Sequence, residues 1–406
     1  MAPAAGASSR VERTPRGSRW ATSGVLGRSL LSHDGCESSS VSLVLPLAGA
    51  ALCLLALADV FLTVLYARSG TGLLSPLLQK AVWNLFRGVA GSRRSLRDLI
   101  LSYAGPTAMV VTAATWFLLL IVGVALIVWP ALGSGIQASQ GQTPTSFATA
   151  FYYSGYGLTT LGTGDIVPRT DFFRSLMVLQ AFTGFSVLTL TLTYFMSVYS
   201  ALVRRNVLAN ALHQLSGGKG DAAMIVAGLG AAGSFAGARG ALTSLAMQVL
   251  DLLESHHAYP VIHYFRLRDT RYALARVALL TMDTSSIVRT ALGKDHADVA
   301  TSGALQMLSG SGLALLRTVE ATFLPERAED QCGAAEDGAW NERRFRAALL
   351  KLRQAGVTVA SASDAHRNYS DQRATWAPLV RALAASSAFD WAEIEVPDIA
   401  AEETDR

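Results

Sequence analysis

At 406 residues the chain has room for about two or three soluble domains, but 51% of it is hydrophobic and only 16% charged, with the apolar residues concentrated before residue 205. The formal net charge of +4 is too small to imply a nucleic-acid partner. Cys36, Cys53 and Cys332 lie far apart, form no CxxC pair and outline neither a disulfide framework nor a zinc site, so ordinary thiols are expected.

In chain order, residues 1–40 are rich in Ser, Gly, Ala and Arg without hydrophobic periodicity, which reads as a disordered tail. The first apolar run, roughly 42–67, starts too late and runs too long for a secretory signal. Two more follow, one at roughly 107–132 free of charge and one at roughly 174–203 charged only at Arg174. Each meets the ~20 apolar residues that a bilayer span requires, and a soluble core helix of that length without a polar stripe is not expected. The predicted fold is an all-α membrane protein. It has a first span over 41–67, a basic, amphipathic linker over 68–104, a helix–loop–helix unit over 105–203 with its loop at 143–168, and a mostly helical domain over 204–406.

Basic residues orient the spans. The linker carries Arg68, Lys80, Arg87, Arg93, Arg94 and Arg97 against Asp98, whereas 133–173 carries only Arg169 against Asp165 and Asp171, and Arg204 and Arg205 follow the third span. The positive-inside rule puts 68–104 and the C-terminal domain in the cytoplasm, leaving the N-terminus outside. In the linker, "LLSPLLQKAVWNLFRGVAG" suits an interfacial helix on the cytoplasmic leaflet, or a plain connecting helix. Asp59 lies within the first span, where an ionisable group is costly; pairing with an arginine or backbone group is expected, with a gating role as the alternative.

Between the second and third spans, Thr143 and Pro144 signal a helix start. The apolar helix that follows is too short to cross a bilayer, so it must dip in and return, with the negative end of its dipole aimed inward to favour a cation. After it comes "TTLGTGD", residues 159–165. Irregular backbone at membrane depth survives only when buried in protein or lining a watery path. Gly162 and Gly164 can take positive φ and turn successive carbonyls to one side, and inward carbonyls repeated around an axis replace an ion's hydration shell.

A charge-free span, a Pro-started short helix, "TTLGTGD", "IVP" and a second span containing Gly184 make the segment from about 107 to 203 resemble the potassium channel pore family. The resemblance implies a selectivity filter. Thr160 would offer hydroxyl and carbonyl to the innermost site, Leu161, Gly162 and Thr163 carbonyls above it, and Gly164 and Asp165 would close the outer mouth. It also implies four copies around one axis, hence a homotetramer, since the chain has one such stretch. Thr163 departs from the family, which has an aromatic residue there whose ring props the filter. Tyr152, Tyr153, Tyr156 and Thr159 are the candidates to support the filter from the short helix. Gly184 is either a hinge in the inner helix or a close-packing position.

"GLGAAG" (Gly228, Gly230, Gly233) matches a dinucleotide spacing, but "DAAMIVAGLG" also reads as a helix ending at glycine and no strand–helix alternation follows. His256, His257 and His263 fall on different faces across Pro260, which favours a helix-ending structural segment over a metal site. No catalytic constellation appears, no cofactor is expected, and no span carries the Arg repeat of a voltage sensor. The expected protein is a multi-pass tetrameric cation channel of the plasma membrane, surrounded by lipid, not an enzyme and not a nucleic-acid binder. Its permeant ion would be K+, with Na+ as the alternative. The rival readings are a channel gated by a nucleotide-binding C-terminal domain, a non-conducting membrane scaffold, and a membrane oxidoreductase using "GLGAAG".

Overall fold

The computed structural model describes residues 34–66, 72–91, 93–324 and 334–395. Helix α1 (Asp34–Val60) continues as a π-helical turn over Phe61–Leu65. It takes in residues 34–40, expected in the tail, because the apolar run propagates the helix backwards; the rest of that tail, 1–33, lies outside the described residues. Helices α2 (Ser75–Val89) and α3 (Arg94–Ser102) form the linker, and α4 (Ala104–Val128) follows.

Helices long and apolar enough to cross a membrane cover Leu43–Leu65, Arg94–Ala131 and Asp171–Leu215. In the first two, a Cβ on Gly49 would meet the Gly123 carbonyl oxygen at 2.3 Å, so small residues let α1 and α4 approach backbone to backbone. The third is α6 (Asp171–Leu215), whose Thr170 cap accepts from the Phe173 N–H. At ~1.5 Å per residue, its 45 residues far exceed a bilayer core. It therefore runs without a break through the expected boundary at 203 into the C-terminal region.

The C-terminal region is a helical bundle. Its described helices are α7 (Ala222–Leu229), α8 (Ala238–Ala258), α9 (Leu274–Ala291), α10 (Ala297–Ala300), α11 (Gly303–Phe323), α12 (Ala334–Gln354), α13 (Ala362–Ser386) and α14 (Trp391–Ile394). α9 is buried along nearly its whole length, with α7, α8, α11, α12 and α13 contributing to the same core. Its hydroxyls on Thr281, Ser285, Ser286 and Thr290 bond to carbonyls one turn back, which lets polar residues sit inside.

The "GLGAAG" glycines belong to the end of a helix, not a strand: Gly228 lies in the last turn of α7, Gly230 caps it and Gly233 ends the turn that follows. α7 is capped by Asp221, which accepts from Ala223 N–H at 2.9 Å, and ends at Gly230. Among the described C-terminal residues the one β feature is an isolated bridge between Leu292 and Val359. That leaves the dinucleotide readings without their strand. The histidines divide as expected: α8 ends at Ala258 and a 3₁₀ turn over Pro260–Tyr264 carries His263. No cluster of metal-ligating side chains occurs among the described residues.

Candidate functional site

Between α4 and α6 the chain forms a short ribbon of β1 (Ile136–Ala138) antiparallel to β2 (Ile166–Pro168), paired Ile136 with Pro168 and Ala138 with Ile166. Ser139 N–H donates to the Asp165 carbonyl at 2.7 Å and Arg169 N–H to that of Gly135 at 2.8 Å, extending the pairing. Among the described residues the ribbon is the one sheet, and it closes the neck of the loop.

Inside the neck lies α5 (Phe147–Leu158). Its cap is Ser146, which accepts from Thr149 N–H at 3.3 Å. The expected cap, Thr143, instead accepts from the Ala138 N–H at 2.9 Å and fastens the strand that enters the loop. At the other end, Thr159 takes the C-cap, its hydroxyl donating to the Gly155 carbonyl at 2.9 Å. Tyr153 and Tyr156 are buried in the cluster that Val124, Val128, Leu132 and Ile136 build around α5. The Tyr156 hydroxyl also donates to the Ile166 carbonyl, tying α5 to the returning strand.

Residues 159–165 are exposed and irregular. Thr160, Gly162 and Gly164 have φ of 59°, 60° and 74°, whereas Leu161 and Thr163 between them do not share that left-handed region. Such alternation turns successive peptide planes the same way, so carbonyls that would take opposite sides in a strand share one. The glycines were legible in the sequence because positive φ costs them nothing. Thr160 was not, since the same conformation is uncommon for a residue with a Cβ. Tyr152 donates its hydroxyl to Thr163 Oγ1 at 3.1 Å, and Thr163 Oγ1 donates to Asp165 Oδ1 at 2.7 Å, so a polar chain links α5 to the loop.

Two α6 residues hold the inner end of α5. Gln180, buried, donates its amide to the Ser154 carbonyl, and a Cβ on Gly157 would lie 2.8 Å from that amide nitrogen. One turn on, a Cβ on Gly184 would lie 1.9 Å from the Leu158 carbonyl oxygen, so here the close-packing role is the one this geometry supports. Gln180 escaped the sequence reading, although a lone amide in an apolar span was its signal.

Asp59 stands apart from the loop. It is fully buried and accepts from Leu74 N–H (2.7 Å), Ser75 N–H (3.3 Å), Ser75 Oγ (2.5 Å) and Trp116 Nε1 (2.7 Å). α2 has no cap of its own, and Asp59 supplies one from a neighbouring helix while anchoring α1 to α4.

A loop pinched at its neck, a short helix behind it and a stretch of one-sided backbone, all between two spanning helices, are the parts of a pore loop. Residues 109–201 match the family model described as "Ion channel". This segment is similar to the ion-channel family. A further match, to an uncharacterized membrane protein, YdjJ, of Bacillus subtilis (strain 168), is 26% identical over 219 residues. It takes in 54% of this chain and 62% of the relative, so the chain spans less than two thirds of that protein. The aligned length exceeds the channel segment, so the similarity reaches beyond the pore loop and its two helices. No solved structure matches the chain.

Proposed function

We propose that the chain is one subunit of a homotetrameric pore-loop cation channel of the plasma membrane. It conducts K+ through the backbone carbonyls of Thr160, Leu161, Gly162 and Thr163, with Gly164 and Asp165 at the outer mouth. The observation that carries this reading is the alternation of positive φ at Thr160, Gly162 and Gly164 within a loop closed at its neck. Four copies are supported by exposure. Residues 159–165 are exposed and irregular within one subunit, and lipid cannot satisfy such backbone at membrane depth, which further copies around the axis would shield. The basic linker and Arg204–Arg205 support a cytoplasmic C-terminal bundle, which acts as assembly platform or gate regulator.

Thr163 favours a second reading, a nonselective channel passing Na+ as well as K+, because a Thr–Tyr hydrogen bond replaces the buried ring that the family uses. The reversal potential of the purified protein in planar bilayers, with K+ on one side and Na+ on the other, tests both. A reversal near the K+ equilibrium value supports the selective filter, and one near zero the nonselective channel. Absence of K+ flux from vesicles carrying verified tetramers, across voltage, pH and Ca²⁺, would overturn the channel in favour of a scaffold.

A further inference from the structure

α2 begins where Asp59 caps it, level with Trp116 of α4. From there its inner face follows α4 downward: Val82 packs in one cluster with Ala108 and Met109, and Trp83 in another with Leu101 and Ala104. The helix is thus antiparallel to the first part of α4, starting beside the charge-free stretch that opens at residue 107 and running toward the junction of α3 and α4. The opposite face is covered by none of the described residues. Leu77, Leu85 and Val89 are 66%, 64% and 66% exposed, and Leu73 is 48% exposed.

Lys80 and Arg87, two turns apart, border that apolar stripe on one edge, and exposed Arg93 follows. None of the three makes an ion pair with another described residue, whereas Arg94 and Arg97 are engaged by Glu393 and Asp390. Asp98, the acid of this segment, is held by Arg266 at 2.7 Å. The free charges are therefore all positive and lie beside an apolar surface at the end of a membrane span.

We propose that this face of α2 binds anionic phospholipid, the acyl chains against Leu77, Leu85 and Val89 and the headgroups along the basic edge, with Arg87 and Arg93 at its far end and Lys80 about 10 Å back along the helix. A twofold contact would set like charges together, and in a fourfold ring this face would meet a different face of the next copy, an occupant that the subunit-number measurement below separates from lipid. The inference rests on the membrane reading but not on conduction: a protein that binds lipid this way and passes no ion would overturn the channel alone.

The test uses the full chain in neutral detergent, titrated calorimetrically with dioctanoyl phosphatidylglycerol and with dioctanoyl phosphatidylcholine. Phosphatidylglycerol should bind more tightly, and K80Q/R87Q/R93Q should weaken it roughly a hundredfold, about fivefold per charge, without changing phosphatidylcholine binding. L77S/L85S should weaken both lipids. All these side chains are exposed, so unfolding midpoints should stay at the parent value, and that is measured alongside. Equal affinity for the two lipids, or a triple variant that keeps its preference, would overturn the proposal. So would a change in subunit number by light scattering in L77S/L85S with lipid preference intact, which would assign the face to a second copy.

Discussion

A threonine standing where the pore family has an aromatic ring changes what holds the loop in shape. The Thr163 hydroxyl cannot fill the space of a ring, but it receives one hydrogen bond from Tyr152 and gives another to Asp165. Tyr152→Phe removes only the first link. A neutral hydrogen bond contributes about 1 kcal/mol, so the K+/Na+ permeability ratio should fall about fivefold in bi-ionic recordings, and Thr163→Ser, which keeps the hydroxyl, should preserve it. An unchanged ratio in Y152F would mean that the chain of hydroxyls does not shape the path. The sequence marked Tyr152 as a support because of its position in the short helix, but not its partner, since two residues eleven apart meet only once the loop has turned back. Gly162 and Gly164 were readable from their chemistry alone. Thr160 adopts the same conformation through its surroundings, which one residue's identity does not encode.

Helices meet at a few contacts that fix their registry, and two of these separate function from packing. Gly184→Ala would drive a methyl into the Leu158 carbonyl at the inner end of α5, a backbone atom that cannot swing aside. Overpacking of that kind costs about 1–3 kcal/mol or more, so the unfolding midpoint in detergent should drop. A hinge role alone predicts a parent-like midpoint with altered opening. Asp59→Ala removes the acceptor for four donors, two of them the backbone N–H groups that start α2. Each buried donor left unpaired costs about 1–3 kcal/mol, so this variant should be less stable than Ser75→Ala, which removes two bonds, the one given to Asp59 and the one accepted from Thr63 Oγ1, and leaves the backbone donors of α2 paired. The three long apolar helices and the irregular loop between the last two were legible because long charge-free runs and a Gly-rich interruption have few other uses. The continuity of α6 was not. Arg204 and Arg205 looked like the end of the hydrophobic element, yet "VRRNVLANALHQL" keeps helical spacing, and Arg205 is buried by donating to the Ile262 and Phe265 carbonyls.

At the scale of the whole molecule, the foot of α6 and the C-terminal bundle are one connected structure. Arg204 pairs with Asp251 at 2.8 Å and donates to Ser255 at 3.2 Å, so α6 is bolted to α8 one residue before Arg205 grips the 3₁₀ turn. On the far side of the bundle, Asp283 on α9 is fully buried between Arg344 (2.7 Å) and Arg373 (3.2 Å), and Glu395 binds Arg373 at 2.8 Å. Burial alone would push the Asp283 carboxyl up, but Arg344 and Arg373 hold it below the ordinary carboxylate value, so its contribution is lost only in strong acid, below about pH 4. The histidines at the α6 junction titrate earlier. Burial pushes His256 down to about 4, with Arg205 and His257 adding to it against the bond to the Leu252 carbonyl. Burial, then His256 and Arg205, push His263 to about 3. Both histidines bind a proton more readily unfolded than folded. Their contribution is therefore complete above the unfolded value of about 6.5 and declines as pH falls through the window toward about 4. For His256 the loss across that window is on the order of 3 kcal/mol, at about 1.4 kcal/mol per unit. Unfolding midpoints of the detergent-solubilised chain measured from pH 7.5 to 4.5 should fall steadily below 6.5, and His256→Gln, which keeps a polar side chain but cannot take the proton, should flatten the decline. A parent midpoint insensitive to pH over that range would mean that the junction opens to water and the histidines titrate freely. The bundle would then be a separate body hung from α6 instead of a continuation of it.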